Sequence, residues 1–134
     1  MPDRFDKATR SRIMAAIRGA NTAPELAVRK HLHALGLRFR IHRRDLPGRP
    51  DIVLPKYRTV VFVHGCFWHR HRDCPMAVLP ATNRRFWRTK LEGNRRRDLR
   101  NVRALRRAGW KVVTVWQCGI TASGLRRLVR RILA

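Results

Sequence analysis

Acidic residues are scarce in this sequence. Its 134 residues include 32 lysines and arginines but only eight aspartates and glutamates, which gives a formal net charge of +24. Such a charge predicts a polyanionic partner, because basic side chains neutralise phosphates and release their counterions. Arginine-rich codon usage would raise the arginine count but would not also remove the acids. The glutamates Glu25 and Glu92 are therefore positions of special interest.

Long apolar segments and an even set of cysteines are also missing. No run approaches the roughly 18 apolar residues that span a bilayer, and the N-terminal MPDRFDKATR lacks the apolar stretch of a secretory signal. Three cysteines are an odd number, which argues against a secreted disulfide framework. We therefore expect a cytoplasmic protein without membrane contact, associated with the nucleoid if its polyanion is DNA.

Length and hydrophobicity favour one folded domain. A chain of 134 residues is close to the commonest domain size, and 44% of its residues are hydrophobic, as in globular proteins. Neither an internal repeat nor a linker divides the chain. We therefore predict a single domain over residues 1–134 that acts as a monomer.

Periodicity and turn signals predict two helices, three strands, a helix, a strand and a final helix. The second helix should begin at Thr22, with a capping box to Glu25, and stop at Gly36. The expected strands cover residues 37–42, 52–54, 59–63 and 111–116, and a long helix covers 84–107. That helical crossover favours a parallel last pair of strands. The order is typical of an α/β fold with a restriction-endonuclease-like core, a mixed β-sheet flanked by helices.

The first helix, predicted over about residues 7–18, allows two interpretations. Ile13, Met14 and Ile17 share one face among basic residues. That face either packs on the core or lies against DNA, and in the second case Met14 contacts DNA.

Metal-ligand residues cluster after the third strand, in the segment VVFVHGCFWHRHRDC. Cys66 and Cys74 bracket a short loop, and Cys118 follows the last strand. Three cysteines and one histidine would complete a tetrahedral structural zinc site, and the spacing allows either His69 or His71. Isolated buried thiols are the alternative interpretation of the cysteines.

A second group of polar residues has a catalytic character. Asp51 precedes the second strand and His64 follows the core of the third, so an antiparallel hairpin would place both at one end. A carboxylate there suits Mg²⁺, and an imidazole suits a general base in phosphodiester cleavage. Whichever of His69 and His71 does not bind zinc would join Asp51 and His64 in this group, as would Glu25. Glu25 also has a simpler role available in the helix cap.

Several strings in the chain resemble the very short patch repair (Vsr) endonuclease family. They are DKATRSRIM, TAPE, LPGRPDIVL, FVHGCFWHRHRDC, PATNRRFW, RRRD and GWKVVTVWQC, and together they run from about Asp6 to Cys118. The resemblance implies a restriction-endonuclease-like fold with an added structural zinc. It implies Mg²⁺-assisted nicking of DNA 5′ to the thymine of a T:G mismatch that arises when 5-methylcytosine is deaminated. The expected partners are duplex DNA with that mismatch and mismatch-repair accessory proteins.

The resemblance also implies roles for individual residues. The expected Mg²⁺ ligands are the Asp51 carboxylate and the backbone carbonyl of Val63, and the expected catalytic groups are His64, His69 and Glu25. His71 is expected to join the cysteines on zinc, which gives the ligand set Cys66, His71, Cys74 and Cys118. The aromatic residues expected to wedge into DNA beside the mismatch are Phe67, Trp68 and Trp87.

Two other functions compete with this one. A zinc-stabilised DNA-binding module without activity would explain the charge, the cysteines and the aromatic residues, but not Asp51 and His64 at adjacent strand ends. A restriction-like nuclease of another specificity would explain all of them, because the sequence names few residues that would read bases.

Overall fold

A computed structural model describes residues 22–134 of the chain. Within this range the helices are α1 (Ala23–Ala34), α2 (Arg84–Arg107) and α3 (Ala122–Leu133), and the strands are β1 (Arg40–Ile41), β2 (Ile52–Leu54), β3 (Thr59–His64) and β4 (Lys111–Trp116). The helix predicted over residues 7–18, with Met14, lies outside the described residues. None of the helices in the described range is long and apolar enough to cross a membrane.

The four strands form one mixed sheet in the order β1-β2-β3-β4. The pairs β1–β2 and β2–β3 are antiparallel, and β3–β4 is parallel, with His64 opposite Trp116 at its end. The parallel pair confirms the prediction from the helical crossover, because α2 returns the chain to the edge at which β3 began. The C-terminal ends of β3 and β4 therefore meet at the same edge of the sheet.

The first strand is shorter than predicted. The sequence indicated a strand over residues 37–42, but only Arg40 and Ile41 pair, opposite Val53 and Ile52. β2 has only three residues to offer as partners, and His42 adopts a positive φ of 53° that ends the extended backbone. The alternating pattern before Arg40 therefore reflects packing of Leu37 and Phe39 against the core rather than ladder pairing.

Helices cover both faces of the sheet. Successive side chains of a strand point to opposite faces, and both faces of this sheet carry apolar side chains that must be buried. One face packs against α1 and α3, through Val28 and Leu32 of the first and Leu128 and Ile132 of the second. The other face packs against α2, and its buried members are Val53, Val60, Phe62, Leu105 and Val112. The predicted core face of the last helix is confirmed, since Leu125 and Val129 also pack against the first cluster.

Helix α1 begins and ends where the sequence predicted. The Thr22 hydroxyl accepts a hydrogen bond from the Glu25 amide at 3.4 Å, and Gly36 adopts a positive φ of 75° after the last turn. The Oε1 atom of Glu25 also accepts a hydrogen bond from the Thr22 hydroxyl at 3.4 Å, and its second oxygen, Oε2, contacts His42.

Candidate active site and metal centre

Asp51 joins the ends of β2 and β3. Its carboxylate oxygen Oδ2 accepts a hydrogen bond of 2.6 Å from the backbone amide of Val63. The hairpin thus places Asp51 beside the end of β3, as the sequence predicted. Burial raises the pKa of Asp51 to about 7, against the lowering effect of the Val63 hydrogen bond, and the negative charge of Glu25 adds to the rise. A carboxyl group so poorly solvated gains from a nearby cation.

Glu25 lies in the first turn of α1 and is only 3% exposed. Its Oε2 atom lies 3.3 Å from Nε2 of His42 and 3.9 Å from a guanidinium nitrogen of Arg29. Glu25 and Asp51 line the same cavity, so two of the few carboxylates of the chain share one site.

His64 and His69 form a stacked pair of imidazoles. Their ring centroids lie 3.8 Å apart and their planes are within 4° of parallel. Burial lowers the pKa of His64 to about 4, and the neighbouring His69 contributes to the shift, so His64 is neutral near neutral pH. The Nδ1 atom of His64 is buried and has no hydrogen-bond partner within the described part of the chain.

Asp98 of α2 holds the second imidazole of the pair. Its Oδ2 atom lies 2.6 Å from Nδ1 of His69. An acceptor at Nδ1 favours the tautomer with the proton on that nitrogen, which leaves Nε2 of His69 as a proton acceptor. His69, His64 and Asp98 therefore form a polar cluster at the edge of the sheet where Asp51 also lies.

The three cysteines converge with His71. The potential ligand atoms of Cys66, His71, Cys74 and Cys118 all lie within 4.8 Å of one another, and all three thiols are free. Nδ1 of His71 is 3.4 Å from Sγ of Cys118. A tetrahedral zinc with Zn–S bonds of about 2.3 Å sets its ligand atoms roughly 3.5 to 3.8 Å apart, so a small contraction would suffice. The donor set fits a metal ion better than it fits isolated thiols.

Aromatic side chains line the metal-site loop, residues 65–74 after β3, and the start of α2. The rings of Phe67, Trp68 and Trp87 contact one another with centroid separations of 5.1, 5.6 and 5.9 Å. Phe86 extends the group, 5.3 Å from Trp87 and 58% exposed. None of the four is buried. This aromatic cluster is therefore a surface feature and not part of the core.

A cavity of about 460 Å³ lies among the carboxylates, the paired imidazoles and Trp68. Its walls come from the start of α1, the hairpin end, the loop after β3 and the middle of α2, through Glu25, Asp51, Val63, His64, Trp68, His69 and Asp98. Asn94 of α2 donates to the backbone carbonyl of Trp68 at 3.1 Å, which fixes the loop against the helix. The cavity thus presents three carboxylates and two imidazoles beside an aromatic surface.

Comparison with known proteins identifies the family. The sequence profile of the DNA mismatch endonuclease Vsr matches residues 2–75. The chain is 49% identical over 134 residues to the type II nicking enzyme V.XorIIP of Xanthomonas oryzae pv. oryzae, covering 99% of this chain and 98% of the relative. The chain belongs to the Vsr family of DNA mismatch endonucleases. It is also 46% identical over 120 residues to the DNA mismatch endonuclease Vsr of Escherichia coli, covering 90% of this chain and 76% of that enzyme.

Membership of the Vsr family confirms the resemblance seen in the sequence and the assignment as a DNA endonuclease. The cavity accordingly lies in a nuclease, and the non-enzymatic binding module is excluded as a class. The structure brings Glu25, Asp51, His64 and His69 together, and places His71 with the three cysteines. Their catalytic and ligand roles are proposals that rest on this geometry.

Asp98 is the site residue that sequence reasoning missed. It stood within the family string RRRD and is one of only eight acids in a chain of net charge +24. Its position also lies one helical turn after Asn94, on the side of α2 that faces the loop. Scarcity of acids, combined with this spacing on α2, was the available signal.

Proposed function

We propose that this Vsr-family enzyme nicks one strand of duplex DNA 5′ to the thymine of a T:G mismatch, by Mg²⁺-assisted hydrolysis at the cavity described above. The observation that carries the proposal is the convergence of Asp51, the His64–His69 pair and Asp98 in a single cavity beside the aromatic cluster. The hydrolytic groups and the groups suited to opening a base stack share one surface.

Asp51 and the backbone carbonyl of Val63 would hold Mg²⁺. Both are oxygen ligands, which Mg²⁺ prefers, and Asp51 is already hydrogen-bonded to the amide of Val63. Burial raises the pKa of Asp51 and the negative charge of Glu25 adds to the rise, so a bound cation would offset the cost of ionising this carboxyl group. When bound, Mg²⁺ supplies neutralisation of the phosphate and a lower pKa for a coordinated water. Glu25 would hold a water of the metal through its buried carboxylate.

His69 is the proposed general base. Asp98 fixes its ring and its tautomer, so that Nε2 can accept a proton from water. His64, neutral and stacked on His69, offers a second imidazole beside it. Because both rings are held by neighbours, little reorganisation is needed when the phosphodiester arrives.

Cys66, His71, Cys74 and Cys118 would hold Zn²⁺. Four protein ligands leave no open position, so this zinc would be structural. Burial raises the pKa of the Cys66 thiol to about 11, and a zinc ion would offset the cost of ionising it. Arg70 and Asp73 adopt positive φ angles of 55° and 54° in this loop, which lets the chain turn sharply enough to bring the ligands together.

We also propose a restriction-endonuclease-like core in a single domain over residues 1–134 that acts as a monomer. In this arrangement the mixed sheet carries Asp51 and the end of β3 at one edge, and helices cover both faces. Met14, on the predicted N-terminal helix, is a proposed DNA contact, and accessory proteins of mismatch repair are further proposed partners.

The aromatic cluster is the proposed mismatch detector. Phe67, Trp68 and Trp87 would wedge between base pairs, which costs a few kcal/mol per opened step. A T:G pair is already weakened, so opening costs less there and the wedge itself discriminates.

Incubation of the purified protein with Mg²⁺ and strand-labelled duplexes tests the proposal. We expect one nick, 5′ to the mismatched thymine, on a T:G duplex and no cleavage of the matched T:A duplex. Equal cleavage of both duplexes would instead indicate a nuclease of ordinary duplex specificity, the second function considered from the sequence.

A further inference from the structure

Trp116, the last residue of β4, lies between the metal centre and the catalytic imidazoles. Its ring stacks on that of His71 with centroids 4.1 Å apart and planes within 11° of parallel. Its other neighbour is His64, which it meets edge-on at 5.2 Å and 71°. The parallel register of β3 and β4 places His64 and Trp116 opposite each other, so the two side chains project from the same face of the sheet.

The ring contacts continue from His64 to Asp98. His64 stacks on His69 at 3.8 Å, and His69 is held by Asp98 through the 2.6 Å contact at Nδ1. An unbroken series of contacts thus runs from a ligand of the metal centre to the carboxylate behind the proposed base. Trp116 is the member of the series that belongs to neither site.

His64 depends on these contacts for its orientation. Its Nδ1 atom is buried without a hydrogen-bond partner in the described range, so no hydrogen bond at that nitrogen sets the ring angle. The terminal torsion of a histidine is broad, which means that packing must select one orientation. The packing partners are the stack with His69, the edge of Trp116 and a tilted contact with Phe62 at 5.5 Å.

We propose that Trp116 is a positioning residue that couples the metal centre to the catalytic imidazoles. Ligation of the metal holds His71, His71 and Trp116 stack as a pair, and the edge of Trp116 sets the ring of His64 and, through the stack, that of His69. The metal centre therefore orients the catalytic pair in addition to closing its own loop. This inference rests on the proposed metal ligands and on the proposed roles of His64 and His69.

If Trp116 only fills space, a different result is expected. Truncation of Trp116 would then lower the stability of the protein without a selective effect on the chemical step. Trp110 offers the matched control, because it flanks the opposite end of β4 and packs against the core cluster under α2, far along the strand from the cavity. The comparison is therefore between Trp116→Leu and Trp110→Leu, with Trp116→Phe as the conservative variant.

We expect Trp116→Leu to lower kcat on the T:G duplex at least about tenfold, because small displacements of catalytic groups cost one to two orders of magnitude. KM should change less than about twofold, since the aromatic cluster and the basic surface are untouched. The content of bound zinc should stay at one per chain. Trp116→Phe should recover most of kcat by keeping a flat ring against His71, and Trp110→Leu should lower the melting temperature with kcat preserved.

Exchange of zinc for the larger cadmium ion gives a readout that does not depend on activity. In the wild type, the exchange should shift the ring resonances of His64 and His69 in NMR spectra, and Trp116→Leu should abolish those shifts. Wild-type kcat in Trp116→Leu, or no shift at His64 in the wild type, would overturn the proposal; the second result decides even if the leucine variant fails to fold. A wild-type protein without bound metal or without nicking activity would refute the proposed function itself, which separates the two failures.

Discussion

At the scale of single residues, Asp51 combines burial with a position in the proposed catalytic site. Burial raises its folded-state pKa to about 7, above the ordinary value of 3.8 for an aspartate. A side chain whose pKa is higher in the folded state than in the unfolded state stabilises the fold fully at pH values below the unfolded-state pKa. That stabilisation is lost as the pH rises through the folded-state pKa. The metal-free protein should therefore lose stability from this group between about pH 4 and pH 7.

Mg²⁺ should reverse this pH dependence, because it binds the ionised carboxylate. Below about pH 7 the apparent Mg²⁺ affinity should weaken by about tenfold per pH unit, since the metal must displace a proton. Thermal shifts recorded with increasing Mg²⁺ at several pH values measure this. Asp51→Asn should remove both the Mg²⁺-dependent thermal shift and the nicking activity while the variant still folds. An unchanged Mg²⁺ response in that variant would show that the ion binds elsewhere.

The role of Asp98 can be tested by a substitution that keeps the shape of its side chain and removes its charge. Asp98→Asn should lower kcat by at least about 100-fold, because an amide cannot hold His69 in the tautomer that leaves Nε2 free. Binding of the T:G duplex should persist. Asp45→Asn is the matched control, since Asp45 pairs with Arg43 on an exposed loop. Similar kcat values for the two variants would remove Asp98 from the mechanism.

At the scale of elements, the loop after β3 and the end of β4 meet at the proposed metal centre. Cys118 lies in the short turn after β4 and is exposed, yet its thiol meets His71 of the loop. Loss of one ligand of four should release the metal and lower the free energy of unfolding by at least about 3 kcal/mol, a fraction of what structural zinc sites contribute.

Elemental analysis and chemical denaturation of Cys118→Ser check this expectation. A chelator applied to the wild type should reproduce the same loss of stability. Full zinc content and full stability in Cys118→Ser would contradict the assignment of the centre.

The aromatic cluster forms where the metal-site loop contacts α2. Trp68 belongs to the loop and Trp87 to α2. Trp68→Ala should lower nicking of T:G duplexes by at least about tenfold, since stacking on one base contributes about 1–3 kcal/mol. Zinc content and affinity for matched DNA should be nearly unchanged. The measurement compares nicking rates and a thermal melt with those of the wild type. Normal T:G nicking in a folded Trp68→Ala variant would exclude the wedge.

At the scale of the whole molecule, the charge of +24 determines how strongly the enzyme holds any duplex. Affinity for matched DNA should fall steeply with salt, by about 0.9 logarithmic units per logarithmic unit of salt for each neutralised phosphate. The ratio of T:G to T:A affinity should change much less, because the aromatic cluster is uncharged. Titrations at several salt concentrations test this, and a ratio that collapses with the affinity would assign discrimination to charge.

The sequence by itself determined most of the secondary structure of the described residues and the residue types of both candidate sites. The bounds of β2, β4 and α2 follow from local signals, namely β-branched runs, a helical repeat and a glycine stop, which act over a few residues. The same holds for the cap of α1. Local signals failed for β1, whose length depends on a three-residue partner strand that lies elsewhere in the chain.

Spacing alone did not separate His69 from His71, and the family resemblance assigned His71 to the metal ligands; only the tertiary structure shows the contacts that separate the two histidines. The fold directs His69 to Asp98, 29 residues away, and His71 to Cys118, 47 residues away. Such pairings depend on how α2 and β4 pack against the loop, which no local pattern encodes. The pKa values of Asp51 and His64 were also decided there, because desolvation is a property of everything packed around a group.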